Sequence, residues 1–335
     1  MNCRSFRLVL IAVCLLAFPF RSPAPLVYRP GEGWTYEPYG AEGKWQRPSA
    51  REQLEVAQAA FDRQGYGLAL KASRYLTARW PTSDYAPQAQ YLVARCFDAT
   101  GKAEKAFKEY QKLLEKQPKF ASFEQIRQRQ YEIADQYLAG KRFKLWGFIP
   151  YRSMERTGKM YAGIVKTGPY SDVAPQAQLK IGEAREKQRA LWFKAPDYPG
   201  AVQAYDLAAD RYFDRPTVAS EAVFRSGLAC QKQALNAERD QTTAGRAVAK
   251  FTDFMALYPD DPRVPQAQEI IGSLRAEQAR GSFMVARFYE KRKKWDSARI
   301  YYNEVLVQDP NSPYATEARE RISGLKPQIE EGANK

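Results

Sequence analysis

Histidine is absent from this chain. Its absence removes Ser-His and Cys-His nucleophile pairs and the usual imidazole metal ligands. Carboxylate or lysine chemistry is not excluded, but no paired constellation stands out. The expectation is a protein that is not an enzyme and holds no cofactor and no metal. Cysteine is scarce as well, with four residues in 335. Cys3 and Cys14 lie in an N-terminal targeting stretch. Cys96 and Cys230 sit on helical segments among apolar neighbours, far apart in the chain, so two buried free thiols are expected rather than a disulfide. Zinc-finger spacing and a Gly-rich phosphate loop are also missing. Nucleic acid is therefore not an expected partner, despite a net charge of +14. That charge predicts attraction to anionic surfaces such as lipid head groups or acidic protein faces. A simpler reading of most of it is a solvated surface.

The apolar run Leu8–Phe18 follows Arg4 and Arg7 and is too short to span a bilayer. It fits the core of a signal peptide. Ser22-Pro23-Ala24 offers small residues at the −3 and −1 positions, which marks residues 1–24 as the signal, although Pro25 at +1 is a poor cleavage partner. The alternative is lipidation at Cys14 after Leu10-Ile11-Ala12-Val13, where Val13 is larger than the residue usually found there. Either way the chain is expected to be exported.

What the sequence has in abundance is a repeat. Six stretches place a small residue at i, apolar or aromatic residues at i+4 and i+7, and usually Pro at i+12. They read Ala69-Ser73-Leu76-Trp80-Pro81, Ala106-Tyr110-Leu113-Gln117-Pro118, Thr157-Tyr161-Ile164-Gly168-Pro169, Ala201-Tyr205-Ala208-Tyr212-Phe213, Ala247-Phe251-Phe254-Tyr258-Pro259 and Ala298-Tyr302-Val305-Asp309-Pro310. Steps of 4, 7 and 11 return to one side of a helix. The small residue lets a neighbouring helix come close, and Pro ends the run. The first two endpoints lie 37 residues apart, close to the 34-residue tetratricopeptide period; later spacings are 44 to 51. The expected fold is all-α: a tetratricopeptide-repeat solenoid of about six helix-hairpin units forming a right-handed superhelix that binds other proteins.

A junction recurs in phase with these endpoints: Ser83-Asp84-Tyr85-Ala86-Pro87-Gln88-Ala89-Gln90, Ser171-Asp172-Val173-Ala174-Pro175-Gln176-Ala177-Gln178 and Val264-Pro265-Gln266-Ala267-Gln268. Ser83 or Asp84 can cap the following helix, with Pro87 in its first turn. The expected organisation is an extended Pro/Gly/aromatic arm at 25–49, then repeats one and two at 50–120. Repeats three and four follow at 121–213, and repeats five and six with a capping helix at 214–323. A disordered tail is expected at 324–335. The arm is either a plain tether or a segment whose aromatics dock on the repeats or on a partner. Between the helices of repeat three, Gly140–Pro150 carries Lys141, Arg142 and Lys144 beside Phe143, Trp146 and Phe148. Either these aromatics cover neighbouring helices, or they anchor the chain to a membrane surface or a partner. Arg263–Arg292 reads as one long helix or two merging, with Phe283, Val285, Ala286, Phe288 and Tyr289 as its apolar end.

Two blocks resemble the BamD family, the tetratricopeptide subunit of the outer-membrane β-barrel assembly machine. One is roughly 51–120, with Trp80-Pro81-Thr82-Ser83-Asp84-Tyr85-Ala86. The other is roughly 238–323, with Arg239-Asp240-Gln241-Thr242 and Val285-Ala286-Arg287-Phe288-Tyr289-Glu290-Lys291-Arg292. The family typically has five repeats, so 121–213 looks like two additional ones. The resemblance implies a scaffold on the periplasmic face of the outer membrane. Its partners would be the barrel insertase, other assembly-machine subunits and unfolded outer-membrane proteins. It implies that the first two repeats take extended peptides, which points to Tyr91 and Arg95. It also implies that the long helix faces the insertase, where the family carries an Arg matching Glu277, flanked here by Arg275 and Arg280. A rival reading is a periplasmic repeat protein coordinating envelope constriction or peptidoglycan synthesis, which often carries an N-terminal coiled coil; no heptad run precedes Ala50. A helical domain serving an envelope enzyme is a third reading, disfavoured by the missing histidine.

Overall fold

A computed structural model describes residues 26–29, 31, 33–36, 45–146, 148–188, 196–236 and 241–333. The expected signal peptide at 1–24, with Cys14 inside it, lies outside the described residues. The chain divides into two compact units, residues 1–121 and 122–335.

The first unit holds two helix hairpins, α1 (Ala50–Asp62) with α2 (Tyr66–Arg79) and α3 (Ala86–Ala99) with α4 (Ala103–Lys116). The second holds α5 (Phe123–Leu138) with α6 (Met154–Thr167), and α7 (Ala174–Glu186) with α8 (Tyr198–Arg211). It continues with α9 (Pro216–Asn236) and α10 (Gln241–Leu257), then α11 (Val264–Lys291) and α12 (Trp295–Gln308), and ends in α13 (Pro313–Ala333). Each of the six repeated runs is a second helix. Their small residues, Ala69, Ala106, Thr157, Ala201, Ala247 and Ala298, are all completely buried. The i+4 and i+7 residues are buried as well, from Ser73 and Leu76 to Tyr302 and Val305. The fold is the all-α tetratricopeptide-repeat solenoid that the spacing predicts, with α11 a single unbroken 28-residue helix.

An aromatic ring at i+4 needs room on the first helix of its hairpin, and in two repeats glycine supplies it. A Cβ on Gly182 of α7 would overlap the Tyr205 ring, and one on Gly227 of α9 would lie 2.8 Å from Phe251. Three tyrosines at i+4 also reach a carboxylate near the far end of the first helix. The Tyr205 hydroxyl donates to Glu186 at 2.7 Å, Tyr302 to Glu290 at 2.5 Å, and Tyr161 to Asp135. Burial and these carboxylates push all three phenols upward.

Helix starts differ from expectation at the Pro junctions. Pro87, Pro175 and Pro265 do sit in the first turns of α3, α7 and α11, but no side chain caps those helices. Ser83 is drawn elsewhere: its Oγ accepts from the Tyr85 N–H and donates to the Gly31 carbonyl. Side-chain capping occurs instead at Ser49, Ser153 and Asp197, each accepting a backbone N–H from the first turn.

Part of the N-terminal arm is a ribbon. β1 (Leu26–Arg29) and β2 (Gly33–Tyr36) pair antiparallel with Leu26 opposite Tyr36. Tyr28 and Trp34 are exposed and lie against each other, ring centres 5.3 Å apart. The ribbon docks through its turn, where the Gly31 carbonyl accepts from the Asp84 N–H at 2.8 Å. Of the arm's aromatics, Trp45 packs on the repeat, edge-on to Tyr75 and beneath the Lys71 ammonium.

Over the segment 324–335, where a tail is expected, α13 runs to Ala333, through Pro327. Pro327 leaves the Ser323 carbonyl without its helical donor. Leu325, buried with Phe283, Tyr302 and Val305, holds the helix in place across that gap.

The start of α11 is fixed by an arginine. Arg263 donates from Nε and Nη2 to the two Asp261 carboxylate oxygens at 2.8 and 2.7 Å, reaches Glu221 and Ser220 on α9, and lies over the Phe224 ring. The Arg263 hydrogen bonds hold the Asp261 carboxyl at about 2, below its ordinary 3.8.

Gly182→Ala should lower the unfolding midpoint in urea by an amount equivalent to about 1–3 kcal/mol, since the ring cannot retreat in a filled core. Gly272→Ala, on an open face of α11 with nothing within 4 Å of its Cβ position, should raise it by about 0.5–1 kcal/mol. The depressed Asp261 contributes stability that is complete above its unfolded value and lost as pH falls through its folded value. The stability difference between wild type and Asp261→Asn should therefore shrink as pH drops from 3.8 to about 2, as read by urea titrations across that window.

Candidate functional site

No group of three or more Cys, Asp or Glu side chains among the described residues could hold a metal ion, and no helix there is long and apolar enough to cross a membrane. The two described thiols are free and buried. Burial pushes Cys96 up to about 11, with the Arg95 charge opposing it. What the repeats offer is surface.

In the first unit, Tyr91 and Arg95 lie one turn apart on α3. The structure brings them together: the exposed Arg95 guanidinium sits 4.3 Å above the Phe61 ring and 5.7 Å from Tyr91. Tyr91 is half-buried against Tyr110 and Phe120. A cation laid on aromatic rings keeps its outer donors available while its planar face is covered. Elsewhere in this unit a cavity of about 500 Å³ opens between the two hairpins, with Asp84, Gln90, Lys112 and Lys116 in its wall.

Between α5 and α6 the predicted loop is a second ribbon, β3 (Phe143–Leu145) with β4 (Ile149–Tyr151). It separates the three aromatics that the sequence groups together. Phe143 is corrected from contact residue to core residue: it is 2 % exposed and stacked on Tyr137 at 4.2 Å, with the Arg156 guanidinium over its other side. Trp146 and Phe148 are 78 % and 71 % exposed, so neither covers a helix.

On α11, Arg275 is exposed, while Arg280 donates to both oxygens of Glu277 at 2.9 and 2.5 Å and is held there. The Arg280 hydrogen bonds keep the Glu277 carboxyl below its ordinary range despite some burial. Of the five residues expected at the apolar end, Phe283 and Ala286 are core, but Phe288 is about half exposed. Met284, one turn earlier, is also exposed, and Arg292 lies 3.7 Å over the Phe288 ring. Arg280, Met284 and Phe288 form an i, i+4, i+8 row. The sequence reading missed this row. Its spacing was visible, but the inner row of Phe283 and Ala286 runs beside it, and pattern alone cannot say which faces inward.

Residues 88–119 match the tetratricopeptide repeat model and coincide with the α3–α4 hairpin. Residues 167–323 match the model of the family described as YfiO, outer membrane lipoprotein. That match begins within the segment 121–213, at the end of α6, and takes in the fourth repeat. No curated protein matches the sequence. Among solved structures, the C-terminal part of a TPR repeat-containing protein from Cytophaga hutchinsonii is 12 % identical, with 81 % of this chain and 87 % of that chain covered at a TM-score of 0.32. A tetratricopeptide repeat protein from Parabacteroides merdae is also 12 % identical, covering 82 % and 98 % at 0.30. A TPR protein from Thermus thermophilus is 15 % identical, covering 83 % and 98 % at 0.25. These are likenesses of repeat architecture alone. The chain carries a tetratricopeptide repeat at 88–119 and, over nearly half its length, is similar to a family of outer membrane lipoproteins.

Proposed function

We propose that this protein is a non-catalytic scaffold of outer-membrane β-barrel protein assembly, acting on the periplasmic face of that membrane. The match of residues 167–323 to an outer membrane lipoprotein family carries the reading. The repeat fold, with its preformed surfaces, supports it. A stack of rigid hairpins binds a partner segment without first ordering itself, so little conformational entropy opposes binding. The partners are the barrel insertase, other subunits of the assembly machine and segments of unfolded outer-membrane proteins.

The two kinds of contact fall on different surfaces. The Arg280, Met284 and Phe288 row of α11, with Arg275 nearby in sequence, offers the insertase two exposed apolar side chains bracketed by arginines. Such an arrangement matches the usual composition of a binding hot spot. Arg95 over Phe61 and Tyr91, and the cavity of the first unit, take the unfolded segments. Aromatic rings there can stack on aromatic side chains, and the guanidinium can donate to a carboxylate.

Pull-down from detergent-solubilised envelopes with this protein as bait should enrich the barrel insertase. Met284→Ser with Phe288→Ser should lower that capture by about tenfold or more at unchanged helicity, as expected for loss of central anchors. Arg95→Ala should leave insertase capture intact and weaken binding of unfolded barrel-protein peptides several-fold. Recovery of peptidoglycan synthases or division proteins without the insertase would overturn the reading in favour of envelope coordination.

A further inference from the structure

The ribbon between α5 and α6 carries features that repeat packing does not use. Its base is fixed. Phe143 is stacked between Tyr137 and the Arg156 guanidinium, Tyr151 sits beside Phe143, and the Tyr151 hydroxyl accepts from Arg156. Its pairing is regular, Phe143 opposite Tyr151, Lys144 opposite Pro150 and Leu145 opposite Ile149. Its tip is apolar and in solvent: Trp146 and Phe148 are the two most exposed aromatics of this region, and Ile149 is exposed beside them. Trp146 has φ +52°, a left-handed backbone that a bulky side chain adopts only where the surroundings impose it. The fold therefore spends backbone strain on turning an indole outward.

The surroundings are of one sign. From Gln136 to Met154 the chain has Lys141, Arg142, Lys144 and Arg152 and no Asp or Glu. All four cations are exposed. Lys141 bonds Gln136 at 2.7 Å, a neutral partner that leaves its charge uncompensated.

We propose that this ribbon is a membrane-interface anchor that inserts Trp146 and Phe148 among the head groups of an anionic lipid surface, with Lys141, Arg142, Lys144 and Arg152 on the phosphates. Trp146 and Phe148 stand exposed beyond the paired ends of the two strands, an arrangement suited to entering a soft surface. Three-residue strands reach on the order of 10 Å. That distance matches the depth of about 5–10 Å at which interfacial segments sit and falls far short of the roughly 30 Å hydrocarbon core. Tryptophan is favoured at that depth because its ring is apolar and its N–H remains hydrated. Basic residues at its shoulder add attraction that salt screens. This anchor goes beyond the assembly reading and does not depend on which proteins the repeats bind.

The test uses the full chain and vesicles of phosphatidylcholine, alone or with phosphatidylglycerol, in a co-sedimentation titration. Wild type should bind the anionic vesicles at least tenfold more tightly than the neutral ones, and added salt should weaken that binding. Trp146→Ser with Phe148→Ser, and separately Arg142→Gln with Lys144→Gln, should each lose most of the anionic binding at unchanged circular dichroism. Phe143→Ser is unsuitable because it would disturb the core. Binding that is equal for wild type and both variants would put membrane contact elsewhere in the chain and overturn the proposal. So would absence of vesicle binding, in particular if the aromatic variant instead lost a protein in the envelope pull-down, which would make the ribbon a protein contact.

Discussion

Everything in this fold depends on how closely two helices can approach at one point in each hairpin. The six small residues of the second helices are those points, and none exposes any surface. Close approach there forces the next turn of the second helix into the first helix, so the i+4 ring has to be received. Gly182 and Gly227 receive it by having no side chain. The ring's polar end then emerges at the first helix's last turns, where Asp135, Glu186 and Glu290 wait. An unpaired phenol buried at that depth would be costly; a charged acceptor makes the contact favourable. A packing constraint thus dictates where the carboxylates must stand.

Two of those carboxylates then do a second thing. Glu186 accepts Tyr205 on one oxygen and Lys232, from the first helix of the next repeat, on the other at 2.5 Å. Glu290 divides itself in the same way between Tyr302 and Arg321 of α13. Core packing inside a repeat and ion pairing between repeats therefore share one side chain. Arg263 plays a comparable part at the head of α11, joining Asp261, Glu221 and the Phe224 ring.

The repeat itself was legible because steps of 4, 7 and 11 leave one face of a helix and nothing else explains them. Ala106-Tyr110-Leu113 and its counterparts needed no structure to be placed in a core. The ribbons were not legible: three- and four-residue strands are too short for alternation to register, so Phe143 and Trp146 looked alike although one is core and the other solvent-facing. Charge is a poor guide to position as well. Arg127 is fully buried on α5, donating to the Ile164 carbonyl and lying over Phe123, and burial lowers its pKa. Phe288 failed in the opposite sense, since a helix with two adjacent apolar rows does not announce which one is inside. Of the candidate contact residues, Trp146 with Phe148 came from local composition and Tyr91 with Arg95 from the family resemblance. The Met284 and Phe288 row required knowing the helix's rotation.

The shared carboxylates also make the second unit mechanically uneven. Inside a hairpin, separating the helices means opening a filled, dry crossing at Ala201 or Ala298, where each fraction of an ångström forfeits many contacts at once. Between successive first helices, the Lys232–Glu186 and Arg321–Glu290 links lie at the solvent edge, where water can replace either partner as they part. The ion pairs are thus the part of each joint that yields first, while a single buried cluster running from Ala174 and Leu179 through Tyr205 and Ala229 to Leu274 keeps successive hairpins of the second unit joined.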